Sequence, residues 1–142
     1  MGELFHIRDG RDSDLEYLDY YAALEGMDNM PGIERIRVAV NKDDVPVGFC
    51  RLQADRNGIS YVNPIVVSEA WRGYGVGRAL ISDARSIAGE LRLVSRGSSA
   101  GFYETLGFAP LDWSQVDLEA ASEDCDNCPM RTECNPVPMQ IQ

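Results

Sequence analysis

No run of 18 consecutive apolar residues occurs in the 142-residue chain, which excludes a membrane-spanning helix. Residues 1–10 lack the basic-then-apolar pattern of a secretory leader, so a cytoplasmic location is the expectation. Basic residues are scarce: 13 Lys and Arg face 23 Asp and Glu, and the net charge of −10 argues against nucleic acid as a partner. Histidine occurs once, as His6, within an alternating stretch. A single histidine there reads as a structural residue rather than a ligand or base. No internal repeat occurs, and the length suits one domain with a core able to stand alone.

The charge is unevenly spread. Residues 1–30 hold eight acidic groups against Arg8 and Arg11, and residues 112–134 hold seven against Arg131. Residues 71–96 reverse the balance, with five arginines against Asp83 and Glu90. Ordinary solubilising charge explains such a pattern by itself. The basic segment, however, contains the chain's most distinctive turn, where an anion would be favoured.

That turn is Arg72-Gly73-Tyr74-Gly75-Val76-Gly77-Arg78. It follows the apolar Ile65-Val66-Val67 and precedes an apolar pattern at helical spacing. A strand turning sharply into a helix leaves unpaired N–H groups at the helix start. Glycines give an anion access to them, and the helix dipole and Arg72 favour negative charge. A tight turn with nothing bound is the plainer reading. The P-loop Gly-Lys-Ser/Thr is missing, and the third glycine comes too early for a dinucleotide fingerprint.

In chain order, Leu4 to Arg8 alternates as a strand, and Ser13-Asp14-Leu15-Glu16 reads as a capping box opening a helix. Leu15, Leu18 and Ala22 mark its buried face. Tyr17, Tyr20 and Tyr21 read as aromatic packing, with a substrate pocket as the other reading. Ile33–Val40, Val47–Ala54 and Ile59–Val67 read as three strands joined by polar turns, with Pro64 expected at a bulge. Val76–Ala88 is expected to be a helix that buries Val76, Leu80, Ala84 and Ile87. Leu91–Ser95 follows as a strand, then a helix capped by Ser98 or Ser99 and ended by Gly107. Phe108–Leu111 is a strand, Ser114–Ala121 a short helix, and Val137–Gln142 a final strand. The order β-α-β-β-β-α-β-α-β, an insertion over 112–136, then β predicts an α/β mixed sheet.

Two segments carry a family resemblance. The glycine turn after Ile65-Val66-Val67 is similar to the R/Q-x-x-G-x-G/A turn of the GNAT acetyltransferase superfamily. Phe102-Tyr103-Glu104-Thr105-Leu106-Gly107-Phe108 is similar to its F-Y-x-x-L-G-F segment. They stand in the family's order, about 30 residues apart. The resemblance covers most of residues 4–111 and the terminal strand. It implies a GNAT-like, mostly antiparallel twisted sheet with helices on both faces, in one domain spanning residues 1–142.

The resemblance also implies chemistry: acetyl transfer from acetyl-CoA to an amine that attacks the thioester directly. Ile65, Val66 and Val67 would line the donor. The Val67 backbone would polarise the thioester oxygen and pair with the pantetheine amides. Arg72, Gly73, Tyr74, Gly75, Val76, Gly77 and Arg78 would hold the pyrophosphate. Tyr103 would protonate the leaving thiolate; core packing is its other reading. Asn63 stands where many members place a glutamate base, and a carboxamide accepts no proton at neutral pH. Glu16, Glu25, Tyr61 and Glu69 are substitutes acting through water, and no base is assigned.

The acidic flanks suggest a cationic amine: a small molecule or a lysine side chain. A non-catalytic acyl-CoA-binding or metal- or redox-responsive module is the alternative. Cys125, Cys128 and Cys134 form Cys-x2-Cys-Pro-x4-Cys, which in a cytoplasmic protein favours metal or redox chemistry over a disulfide. Zinc or an iron–sulfur centre, a redox pair and plain thiols remain open. Cys50, His6, Asp124 or Asp126 would be a fourth zinc ligand. The expected partner is a small-molecule amine, with no nucleic acid and no membrane, and a homodimer is left open.

Overall fold

The computed structural model describes residues 4–117, 120 and 135–142. The elements follow the expected order. Phe5–Asp9 is β1, Leu15–Leu24 α1, Ile36–Asn41 β2, Pro46–Ala54 β3, Ser60–Val67 β4 and Val76–Ala88 α2. Leu91–Ser95 is β5, Ala100–Thr105 α3, Ala109–Pro110 β6 and Val137–Ile141 β7. The strands form one mixed, mostly antiparallel sheet of order β1-β2-β3-β4-β5-β7-β6. The chain divides into two compact units, Met1–Leu52 with Pro64–Ile87, and Gln53–Asn63 with Ala88–Gln142.

In the first unit, β2 pairs antiparallel with both β1 and β3. Ile36, Val38 and Val40 alternate along β2 and pack with Leu18 and Ala22 of α1, Phe49 of β3 and Val66 of β4. Ala39, between them, is also fully buried, as expected of a strand covered on both faces. On α2, Val76, Leu80 and Ala84 are buried as their spacing predicts, but Ile87 is not. It lies in the last turn and is 59% exposed, and Ile81 completes the stripe instead. Arg37 of β2 grips Asp83 of α2 through a two-bond fork of 2.8 and 3.0 Å. The same guanidinium reaches Asp9 of β1 at 2.6 Å.

The entry to α1 differs from the capping box expected at Ser13. A 3-10 turn over Asp12–Asp14 leads into the helix, and the residue ahead of it is Arg11. The Asp14 carboxylate accepts from the Arg11 N–H at 2.7 Å and from both ends of the Arg8 guanidinium, at 2.8 and 3.1 Å. A charged acceptor already bound on both sides outcompetes a serine hydroxyl, and Asp14 rather than Ser13 is the N-cap residue of α1. Leu18 and Ala22 are buried as expected, and Leu15 is half-buried. The helix closes with paired bonds from Gly26 N–H to Ala23 C=O and from Met27 N–H to Ala22 C=O.

In the second unit, β5 runs parallel to β4 at Ser60–Leu91 and Tyr61–Arg92, and antiparallel to β7 over its whole length. β6 is shorter than expected and pairs with β7 at Ala109 and Pro110. Leu91, Leu93, Phe108, Met139 and Ile141 are buried. No serine side chain caps α3: a 3-10 turn over Gly97–Ser99 feeds it, with Ser99 N–H bonded to Arg96 C=O. It ends as its glycine predicts, with Gly107 N–H on Glu104 C=O and Phe108 N–H on Tyr103 C=O. Of the helix expected over Ser114–Ala121, Ser114 and Gln115 fall in a 3-10 turn over Trp113–Gln115, capped by the Asp112 carboxylate on Ser114 N–H, and Ala120 is helical; residues 118, 119 and 121 lie outside the described residues. Cys125, Cys128 and Cys134 lie outside the described residues.

Burial opposes the charge of Asp14, yet the Arg8 fork and the Arg11 N–H outweigh it and hold its carboxyl below the usual carboxylate value. A depressed pKa stabilises the fold above the unfolded value and loses that contribution as the pH falls through the folded one. Asp14→Asn should therefore cost about 2–3 kcal/mol at neutral pH. Urea unfolding should show the gap to wild type narrowing as the pH drops below about 4. A gap that stays constant in acid would refute this role for the charge.

Candidate functional site

The turn singled out in the sequence lies in the first unit, between β4 and α2. Val66 is buried in the core, while Ile65 and Val67 are half-buried on the other side of the strand. Val67 is the last residue of β4, and the next N–H, of Ser68, donates to Val47 C=O at 2.8 Å. This close approach explains Gly48. A Cβ there would stand 3.1 Å from both the Val66 carbonyl oxygen and Val76 Cγ1, and 3.5 Å from Val67 Cα. The strand end and the helix start are thus seated together on a glycine of β3.

A 3-10 turn over Glu69–Trp71 follows, with Trp71 N–H on Ser68 C=O. Gly73 and Gly75 then adopt φ of 85° and 83°. A Cβ on either would meet no protein atom within 4 Å, so the need for glycine is conformational. Gly75 C=O accepts from Ala79 N–H at 3.0 Å, which makes Gly75 the N-cap and Val76, Gly77 and Arg78 the first turn of α2. Among the described residues, no backbone hydrogen bond engages the N–H of Gly73, Tyr74 or Gly75. The first turn of α2 carries no acidic residue. Successive amides without a backbone partner at the positive end of a 13-residue helix are the kind of arrangement that favours an anion.

Side chains brace this loop. Trp71 packs edge-on against Phe5, ring centroids 6.4 Å apart, and its ring lies tilted against that of Tyr74 at 5.3 Å. Arg72 forms an ion pair with Glu25, the C-cap residue of α1. The sequence carried no local signal for this pair, which spans 47 residues. Arg78 is exposed in the first turn of α2.

Tyr103 belongs to the second unit, on α3. It is half-buried, with its ring edge-on to Phe102 at 5.2 Å and Phe108 at 5.6 Å. Asn63 makes a long 3.5 Å contact from Nδ2 to Ala120 C=O. Tyr61 is fully buried, and its hydroxyl accepts from Asp117 N–H at 2.9 Å, a structural role rather than that of a base. Of the other substitutes, Glu16 and Glu69 are exposed and Glu25 holds Arg72.

Among the described residues, no group of three or more His, Cys, Asp or Glu is arranged to hold a metal ion. Cys50 is a poor fourth ligand. It is fully buried on β3, and desolvation, with Asp83 adding, pushes its thiol up to about 12. His6 is exposed and pairs with Val40 in the β1–β2 ladder.

A mixed sheet whose fourth strand passes through a glycine turn into an open helix N-terminus defines an acetyltransferase-type fold. The chain belongs to the GNAT acetyltransferase family: residues 33–110, more than half of its length, match the acetyltransferase (GNAT) domain. It is 39% identical over 83 residues to the peptidyl-lysine N-acetyltransferase YjaB of Escherichia coli (strain K12), covering 56% of this chain and 53% of that protein. The chain thus spans about half the length of this relative. The structure of Rv2747 from Mycobacterium tuberculosis, in complex with CoA and NLQ, superposes with a TM-score of 0.77 at 16% identity, over 96% of this chain and 98% of that one. N-acetylglutamate synthase from Neisseria gonorrhoeae, complexed with coenzyme A and N-acetyl-glutamate, gives 0.79 at 13% identity, over 99% of this chain and 35% of that one. At such identities the likeness is one of fold.

Forcing a side chain into the conformation of Gly75 costs about 1–3 kcal/mol. Gly75→Ala should lower the thermal unfolding midpoint by several degrees, and Gly101→Ala, at a helical glycine with open space, should not. Equal midpoints for both variants would show that the turn relaxes without strain.

Proposed function

We propose that residues 1–142 act as one acyl-CoA N-acyltransferase domain that moves an acetyl group from acetyl-CoA to a primary amine. The observation that carries this reading is the set of open amides at the start of α2, shaped by two positive-φ glycines. Backbone groups from Gly73 to Arg78, with Arg72 beside them, hold the pyrophosphate. Ile65, Val66 and Val67 line the pantetheine arm, and the Val67 backbone polarises the thioester oxygen.

The amine nitrogen attacks the thioester carbonyl carbon, the C–S bond breaks, and the Tyr103 hydroxyl gives its proton to the departing thiolate. The amine's own proton leaves to water, since Asn63 cannot accept it. Most of the acceleration then comes from positioning. Acidic flanks support a cationic acceptor, either a small amine or a lysine side chain, and the named activity of the YjaB relative supports the lysine. The second reading, a non-catalytic acyl-CoA-binding module, is favoured by one observation, the carboxamide at position 63.

Cys125, Cys128 and Cys134 are proposed to hold zinc or an iron–sulfur centre that orders the acidic segment around them. Elemental analysis of protein purified without added metal should find a stoichiometric metal, and three freely reactive thiols would sink this part. A cytoplasmic setting, with reduced thiols, is part of the same proposal.

Thiol release from acetyl-CoA over a panel of polyamines, aminoglycoside-like amines and lysine peptides should reveal turnover. Tyr103→Phe should lower kcat by about 100-fold or more, with CoA affinity little changed. Tight CoA binding without turnover on any amine would favour the binding module. Anionic amino acids as the best substrates would show the charge argument to be wrong.

A further inference from the structure

Of the tyrosines of α1, Tyr21 packs against the core as expected, but Tyr17 and Tyr20 face solvent. Tyr17 and Tyr20 are 43% and 62% exposed, and Leu24 is 65% exposed. These three stand at i, i+3 and i+7, so they share one stripe on the solvent side of the helix, opposite Leu18 and Ala22. Tyr21 edges the stripe, its ring 6.0 Å from that of Tyr20. A contiguous apolar stripe on an otherwise charged surface marks an interaction site.

Charge decides what fits it. α1 carries Glu16 and Asp19 and no basic residue, and Glu25 caps its end. The two arginines upstream are neutralised within the fold, Arg8 by Asp14 and Asp44 and Arg11 by Asp44. The stripe therefore sits in an acidic field with tyrosine faces open to cations. It also runs toward the donor turn. The Tyr21 hydroxyl donates at 2.7 Å to the C=O of Pro46, whose neighbour Val47 accepts from the N–H of Ser68, the residue after Val67. Glu25, next to Leu24, pairs with Arg72 of the glycine turn.

We propose that the outer face of α1, through Tyr17, Tyr20 and Leu24, docks a basic polypeptide segment that carries the lysine to be acetylated. This rests on the acyl-transfer reading and narrows its acceptor from any cationic amine to a lysine within a basic, partly apolar peptide. Binding along the stripe leads the target lysine to the end of β4, where the thioester would lie.

The test compares wild type with Tyr20→Ala/Leu24→Ala, two exposed positions outside the donor site. Acetyl transfer is measured to a 12-residue basic peptide with one lysine and one aromatic residue, to the same lysine in an acidic peptide, and to spermidine. The variant should raise KM for the basic peptide about tenfold while kcat for it and both constants for spermidine stay unchanged. Fluorescence anisotropy of the labelled basic peptide should weaken in parallel and fall steeply with salt. Peptide binding that depends on the stripe, without turnover on any amine, would support docking and overturn acyl transfer. Turnover with no preference for the basic peptide, or no KM shift in the variant, would overturn docking and leave acyl transfer standing. Self-association of wild type that the double substitution abolishes would also overturn it, because a second copy would then cover the stripe.

Discussion

The amides that open α2 have no carbonyls to bond because the helix begins there, and that geometric fact organises the first unit. Leaving them open is costly unless water or an anion satisfies them, so they must stay at the surface while the helix stays seated. The seat is made by Gly48, which lets β3 touch the end of β4 and Val76 together. The helix is held from its other flank by the Arg37–Asp83 fork, a bidentate and half-buried pair. Trp71, between Phe5 and Tyr74, braces the loop in between. Each contact restrains the same few residues, and a concavity of amides recognises an anion only when its donors are fixed beforehand.

Charge is divided along the same lines. Arginines of the first strands are spent on carboxylates within the fold: Arg8 on Asp14, Arg11 on Asp44, Arg37 on Asp83 and Asp9. The exposed members of this set contribute little each. The pairs at Asp14 and Asp83 are mostly shielded and hold elements in place. The consequence is local. The net negative charge of the chain is felt on α1, whose acids have no basic neighbours on the helix, while Arg72 and Arg78 mark the turn at α2.

How much of this was legible depended on whether the determinant was local. The glycine turn and the Phe102–Phe108 segment were readable because backbone conformation at Gly73, Gly75 and Gly107 is dictated by residues next door. The order of elements was readable for the same reason, since alternation and helical spacing are short-range patterns. The cap at Asp14 was not, because it depends on the Arg8 guanidinium brought alongside by β1. Nor was the fate of the tyrosines on α1. The spacing of Leu15, Leu18 and Ala22 marked the buried face, but nothing local says whether the tyrosines beside it pack or stay open: Tyr21 packs on the core, and Tyr17 and Tyr20 do not. Ile87 misled in the complementary way: it had the right spacing, but the helix ends too soon after it for burial.

A donor common to many enzymes is recognised largely through backbone amides, and backbone geometry leaves a signature in glycine spacing. An acceptor particular to one enzyme is recognised through side chains gathered from distant parts of the chain, which leave none. The Arg72–Glu25 pair is likewise gathered from distant parts of the chain. Glu25 is fixed by the paired closing bonds of α1, and its carboxylate at the negative end of that helix is unfavourable unless a cation attends it. Arg72 is that cation and also belongs to the glycine turn. The end of α1 and the turn that opens α2, 47 residues apart in sequence, are thereby tied through one ion pair.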